Sequence, residues 1–164
     1  MSANEVVRPA AFGTEAEARA FAAHPATARL LFDHFDAKKM ARYTDAQLEK
    51  KLLDARIVRN RLKVQSIIKN ARAYLALEAQ GIDFAELLWG FVGGAPIVNQ
   101  RQGNGDIPAT SPESDAMAKA LKKLGFTFVG STICYAFMQA VGMVNDHLVT
   151  CPCHAECQQS GTPE

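Results

Sequence analysis

The sequence predicts an all-α protein, and three observations support that class. Apolar residues recur at intervals of three and four in successive segments, which is the period of an amphipathic helix. Capping residues precede these segments, and glycines follow several of them. No run of alternating apolar and polar residues is long enough to predict a sheet. Because the chain has 164 residues with 48% hydrophobic content, we expect a single domain around one core.

Two helices are predicted in the first half of the chain. The first starts at a capping box, Thr44-Asp45-Ala46-Gln47, and ends between positions 54 and 57. The second runs from Asn60 to Gln80, and Gly81 is its C-terminal stop. The inner face of the first helix is expected to carry the leucines Leu48, Leu52 and Leu53. That of the second is expected to carry Val64, Ile67, Ile68, Ala71 and Leu75.

A short helix and a long loop are predicted next. Asp83 is a suitable N-cap for a helix from Phe84 to Val92. The Gly93-Gly94-Ala95-Pro96 segment then breaks the helical pattern. Residues 93–111 are rich in Gly, Pro, Gln and Asn, so they predict a loop.

Two further helices complete the prediction. Ser111 followed by Pro112 is a typical helix start, and Gly125 is the expected stop. The last helix is predicted from Ser131 or Thr132 to about Gly142. The apolar face of the earlier one comprises Ala116, Met117, Ala120, Leu121 and Leu124.

The charges are unevenly distributed, although the net charge is only +1. Residues 50–72 contain eight basic residues and one acid, so this segment carries +7 and the remainder of the chain −6. The basic residues around the predicted connection between the first two helices suit contacts to phosphate groups. A solvated basic helix face is the alternative. The residues concerned are Arg56, Arg59, Arg61 and Lys63.

The sequence favours a cytoplasmic protein that does not span a membrane. The N-terminus lacks the apolar core of a signal peptide. Residues 124–145 carry no charge and are long enough for a bilayer, but their three glycines and several polar residues favour a buried helix. The four cysteines are therefore expected to be reduced thiols or metal ligands.

Several strings resemble the DNA-3-methyladenine glycosylase I family from about Arg29 to Cys153. In the C-terminal part they are Lys122-Lys123-Leu124-Gly125-Phe126, Phe128-Val129-Gly130, Tyr135-Ala136-Phe137-Met138-Gln139-Ala140 and Asn145-Asp146-His147. Earlier in the chain, Leu53 to Lys63 and Ile67 to Ala73 resemble the family's helix-hairpin-helix segment. The resemblance implies an all-α, helix-hairpin-helix DNA glycosylase fold. It also implies a monomeric base-excision repair enzyme that hydrolyses the N-glycosidic bond of 3-methyladenine in double-stranded DNA.

The resemblance also implies candidate sites. Tyr135, Phe137, Met138 and Asn145 are expected to line the base pocket, with ordinary core residues as the alternative for Phe137 and Met138. The spacing of His147 and Cys151 matches two of the family's four structural zinc ligands, whose other two lie near the N-terminus. This N-terminus has no cysteine, so the candidates for completing the site are Cys153, His154 and Cys157. The alternative is an incomplete half-site with free thiols.

The N-terminal segment departs from the family. Residues 1–28 are a divergent segment, residues 29–157 form the expected helical domain, and 158–164 are a polar tail, with both ends expected to be mobile. The family's upstream acid and stacking aromatics have no counterpart, since neither of its upstream motifs is present and the only tryptophan is Trp89. A second departure is Ala136, where the family usually has serine. No residue is therefore assigned a catalytic role. A non-catalytic DNA-binding remnant of the family is the alternative function.

Overall fold

A computed structural model describes residues 30–54 and 60–159, and most of these residues are helical. The backbone forms two compact units that divide between Ile68 and Lys69. The predicted all-α class is confirmed, and the division of the chain into a domain and two terminal segments stays a prediction. None of the helices in the described ranges is both long and apolar enough to cross a membrane.

The first unit contains short helices. After a 3-10 turn at Asp33–Phe35 come α1 (Ala37–Met40) and α2 (Asp45–Leu52), and α3 (Arg61–Ala79) begins here and continues into the second unit. The predicted capping box of α2 is present. The Thr44 hydroxyl accepts the Gln47 amide at 3.3 Å, and the Gln47 side chain accepts the Thr44 amide at 2.8 Å.

The buried residues of the first unit surround an aromatic pair. Phe32 and Tyr43 are buried, and the Lys51 ammonium lies 5.2 Å and 4.5 Å from their ring centroids. Leu48 is buried as predicted. The expectation for Leu53 was wrong, because α2 ends at Leu52 and the Leu53 side chain is 81% exposed.

The second unit contains the larger core. Its elements after α3 are α4 (Phe84–Trp89), a 3-10 turn (Gly90–Val92), β1 (Ile97–Val98), a 3-10 turn (Asn104–Asp106), α5 (Pro112–Lys123), α6 (Ser131–Ala140), β2 (Val144–Asn145) and α7 (Pro152–Gln159). Three methionines, Met117, Met138 and Met143, are almost fully buried at its centre. Because the methionine side chain is flexible, it fills irregular space between α5, α6 and the chain that follows.

Helix boundaries in the second unit follow the predicted caps. Asp83 accepts the Glu86 amide at 2.9 Å, Ser111 accepts the Ser114 amide at 3.2 Å, and Pro112 occupies the first turn of α5. The apolar-face prediction for α5 was partly wrong, because Ala116 and Leu124 are exposed. Helix α7 was not among the predicted elements.

The two strands form a short parallel pair. Ile97 is opposite Val144, and Val98 is opposite Asn145. One further bridge joins Arg101 to Leu148. This pairing places the loop after α4 beside the chain that follows α6, and it positions the polar side chains described next.

Candidate functional site

A buried carboxylate organises the polar centre of the second unit. Oδ2 of Asp146 accepts the Tyr135 hydroxyl at 2.6 Å and the Gln139 amide at 2.8 Å. Oδ1 accepts the Asn99 amide and the Arg101 Nε–H, both at 2.8 Å. Four donors from α6 and the β1 loop therefore converge on one side chain that is only 5% exposed.

This environment shifts the pKa values of Asp146, Tyr135 and Arg101. Burial acts to raise the pKa of Asp146, but the hydrogen bonds from Tyr135, Arg101, Gln139 and Asn99 outweigh it, so the pKa lies below its usual value. Burial, with the Asp146 carboxylate second, raises the pKa of Tyr135 to about 12. The hydrogen bond to Asp146 raises the pKa of Arg101. The cluster is thus an ion pair with a neutral phenol.

The four predicted base-pocket residues have different surroundings in the described part of the chain. Met138 is fully buried in the core, and Tyr135 is buried with its hydroxyl on Asp146. Phe137 is 40% exposed and lines an apolar pocket of about 190 Å³ beside α4 and α5. Asn145 lines a separate pocket of about 320 Å³, together with Gln139.

Asn145 also makes structural hydrogen bonds, which were not part of its predicted role. Its side-chain oxygen accepts the His147 amide at 3.1 Å, and its amide donates to the carbonyl of His154 at 2.9 Å. The buried Asn145 side chain therefore connects β2 to helix α7.

Three of the predicted metal ligands lie together. The ligand atoms of His147, Cys151 and Cys153 all lie within 4.8 Å of one another, with 3.9 Å between Nδ1 of His147 and Sγ of Cys151. A hydrogen bond with Cys151 raises the pKa of the Cys153 thiol. Imidazole and thiolate are the donors that zinc prefers in proteins, so the donor set fits that ion.

The other two candidate ligands are placed differently. Nε2 of His154 lies 2.8 Å from the Asn99 carbonyl, and its Nδ1 lies 3.2 Å from the Gln158 side chain. His154 is buried, and both of its ring nitrogens contact protein groups rather than the other candidate ligands. Cys157 is exposed on α7, four residues after Cys153, and lines the 320 Å³ pocket.

Two of the four predicted DNA-binding residues are described by the structure. Arg61, at the start of α3, pairs with both carboxylate oxygens of Glu49, with 2.8 Å between Nη2 and Oε2. Lys63, two residues later, is exposed, and its backbone amide is capped by the Asn60 side chain at 3.0 Å. Arg56 and Arg59 lie outside the described residues.

The sequence reasoning named Tyr135 but missed the other residues that bind Asp146. Asp146 lies between Asn145 and His147, which were predicted as a base-pocket residue and a metal ligand, but Asp146 was given no role. Asn99 and Arg101 lie in the segment predicted as a loop, where no periodicity marks a buried polar contact. The strand before them, β1, has only two residues, which is too short for an alternating pattern to be recognised in the sequence.

The chain matches a family model and several known proteins. Residues 22–154 match the methyladenine glycosylase model. The chain is 49% identical over 126 residues to DNA-3-methyladenine glycosylase 1 of Escherichia coli K12, which covers 77% of this chain and 67% of that protein. It is 45% identical to DNA-3-methyladenine glycosylase of Haemophilus influenzae, over 76% of this chain and 68% of that one.

Solved structures agree with these matches. A crystal structure of 3-methyladenine DNA glycosylase I superposes with a TM-score of 0.80 at 46% identity, over 83% of this chain and 75% of the other. The Staphylococcus aureus enzyme, described for its recognition of 3-methyladenine, superposes with a TM-score of 0.75 at 26% identity, over 89% of this chain and 74% of the other. On the family match and the two curated relatives, this chain belongs to the methyladenine glycosylase family.

Proposed function

We propose that this chain removes 3-methyladenine from double-stranded DNA by hydrolysing the N-glycosidic bond, as a monomer in the cytoplasm. The carrying observation is the family match over residues 22–154, together with two curated relatives of that name at 45% and 49% identity. The chain covers about two thirds of each relative.

The chemistry places modest demands on the protein. An adenine alkylated at N3 is cationic, so it leaves readily when water attacks the sugar carbon and the carbon–nitrogen bond breaks. Shape, stacking and one well-placed acceptor can then suffice once the base is flipped out of the duplex. Among the four candidate pocket residues, Phe137 has the aromatic ring that remains open for stacking, since Tyr135 and Met138 are buried.

The DNA contact is proposed at a helix-hairpin-helix formed by α2, the connection after it, and the start of α3. The phosphates would be bound by Arg56, Arg59, Arg61 and Lys63. The exposed positions of Arg61 and Lys63 at the N-terminal end of α3 support this proposal, because helix N-termini attract anions.

A structural zinc ion at His147 and Cys151 completes the proposal. The two donor atoms lie 3.9 Å apart. A tetrahedral ion with bonds of about 2.3 Å to sulfur and about 2.0 Å to nitrogen holds such ligands about 3.5 Å apart. The observed spacing needs little adjustment to reach that value.

The activity is tested by incubating the protein with duplex DNA that contains N3-methyladenine and measuring the free base. Because this base is also lost spontaneously, the same duplex without protein sets the background. We expect release above that background, and none from a duplex with unmodified adenine. Duplex binding without release above background would instead favour the non-catalytic alternative.

A further inference from the structure

We infer that Cys153 is a third zinc ligand beside His147 and Cys151. The inference rests on the proposed zinc ion at His147 and Cys151, and it goes beyond that ion in naming a ligand that the family resemblance does not assign.

The first argument is the position of the donor atoms. The donor atoms of His147, Cys151 and Cys153 lie within 4.8 Å of one another. Two thiolates on one tetrahedral zinc lie about 3.8 Å apart, and a thiolate and an imidazole nitrogen lie about 3.5 Å apart. The three atoms therefore lie within about 1 Å of the separations that one zinc ion requires.

The second argument is that the backbone around the cluster is held in place. The Cys151 amide donates to the Leu148 carbonyl at 2.8 Å, and the His154 amide donates to the Cys151 carbonyl at 3.0 Å. Val149 donates to the Arg101 carbonyl at 2.9 Å. The turn that carries the ligands is thus connected at both ends, which lowers the entropy cost of binding an ion.

The third argument comes from the neighbouring histidine. Both ring nitrogens of His154 are engaged, by the Asn99 carbonyl and the Gln158 side chain. The buried Asn145 side chain binds the His154 carbonyl and the His147 amide. His154 and Asn145 therefore fix α7 against β2, and this brings Cys153 within reach of His147 and Cys151.

The ligand set selects the metal. Two thiolates and one imidazole are soft to borderline donors, which favour zinc over magnesium or calcium. An ion held there would join the end of β2 to the first turn of α7.

The test uses the whole chain, purified under reducing conditions, and two matched variants, Cys153→Ser and Cys157→Ser. Both thiols lie on α7, but Cys157 is exposed and is not in the three-residue cluster. Zinc content is measured for each protein, and Co²⁺ is then titrated while the thiolate-to-cobalt absorbance is followed. Circular dichroism checks that the variants fold.

We expect one zinc ion per wild-type chain. Cys153→Ser should weaken Co²⁺ binding on the order of 100-fold and reduce the charge-transfer absorbance to about half, because one of two thiolates is lost. Cys157→Ser should bind as wild type does. If the cobalt-loaded wild-type protein shows the charge-transfer absorbance of one thiolate rather than two, the assignment is contradicted whether or not the variants fold.

The outcomes separate the two proposals. Wild-type zinc with unchanged binding by Cys153→Ser would refute the Cys153 ligand and leave the zinc at His147 and Cys151 standing. An equal loss in both variants would refute the three-ligand set in favour of one that includes Cys157. No zinc in the wild type would refute both proposals. None of these readouts depends on base release.

Discussion

Asp146 shows how one residue can organise a polar core. Its carboxylate accepts hydrogen bonds from Tyr135 and Gln139 on α6 and from Asn99 and Arg101 in the loop after β1, two segments that are distant in sequence. Because hydrogen bonds to a charged group are stronger than neutral ones, the ionised carboxylate stabilises the fold.

Replacing that charge should lower stability. We expect Asp146→Asn to reduce the free energy of unfolding at neutral pH by about 2–4 kcal/mol, because the new amide places a donor among four donors and leaves Arg101 without its anion. Urea denaturation followed by circular dichroism measures the change. Glu78→Gln, at an exposed carboxylate on α3, is the control and should change stability by less than about 0.5 kcal/mol.

The same cluster predicts how stability depends on pH. The pKa of Asp146 in the folded protein lies below its ordinary value of 3.8. The stability that Asp146 contributes is therefore present above about pH 4 and is lost as the pH falls through the folded pKa. The stability difference between wild type and Asp146→Asn should shrink over that acid range. A difference that stays constant down to pH 2 would show that the charge is not the cause.

At the scale of an element, the end of α5 is a Schellman motif. The Phe126 amide donates to the Leu121 carbonyl at 3.0 Å, and the Gly125 amide donates to the Lys122 carbonyl at 3.1 Å. Gly125 has φ +90°, a conformation that residues with a Cβ rarely adopt. The side chains of Phe126 and Leu121 are both buried, and these are the two positions that form the hydrophobic pair of such a motif.

A substitution at this glycine tests the motif. Gly125→Ala should lower the free energy of unfolding by about 1–2 kcal/mol, because alanine is strained at positive φ. A Cβ there would meet only the Ala73 methyl, at 3.9 Å, so crowding is not the cause. Gly105→Ala is the matched control, since Gly105 has open space and no positive φ. Thermal unfolding of both variants gives the comparison, and equal losses would exclude a conformational cause.

At the scale of the whole molecule, charge separation is the main feature. The basic segment 50–72 carries +7 in a chain whose net charge is +1. Such a segment binds phosphates with little regard to base sequence, and its affinity falls steeply as salt rises. Arg61 is partly neutralised by Glu49, whereas Lys63 has an exposed side chain.

This difference predicts unequal effects on DNA binding. Lys63→Ala should weaken duplex binding and lower the slope of log affinity against log salt by about 1, since one phosphate contact is lost. Arg61→Ala should have a smaller effect, because binding through Arg61 must first break its pair with Glu49. Fluorescence anisotropy at several salt concentrations measures both slopes. Lys119→Ala, at an exposed lysine on α5, is the control, and a slope change there equal to that of Lys63→Ala would contradict the predicted surface.

The local features were the ones that sequence could predict. The N-caps Thr44, Asp83 and Ser111 and the stop at Gly125 all function as expected, because a cap depends on residues three or four positions apart. Leu53 was misassigned because local spacing alone does not show where a helix ends. Its apolar side chain fits the helical period, but the helix ends one residue before it. Whether zinc and DNA bind as proposed stays a prediction.

The sequence by itself therefore determined the helical class, most helix starts and the family, because these follow from local spacing and from contiguous motifs. Only the tertiary structure decided which distant side chains meet: Asn99 and Arg101 with Asp146, His154 with the Asn99 carbonyl, and Cys153 with His147. The physical reason is that a two-residue parallel pairing joins segments about 47 positions apart, as between Ile97 and Val144. Such a pairing leaves no periodic pattern in the sequence.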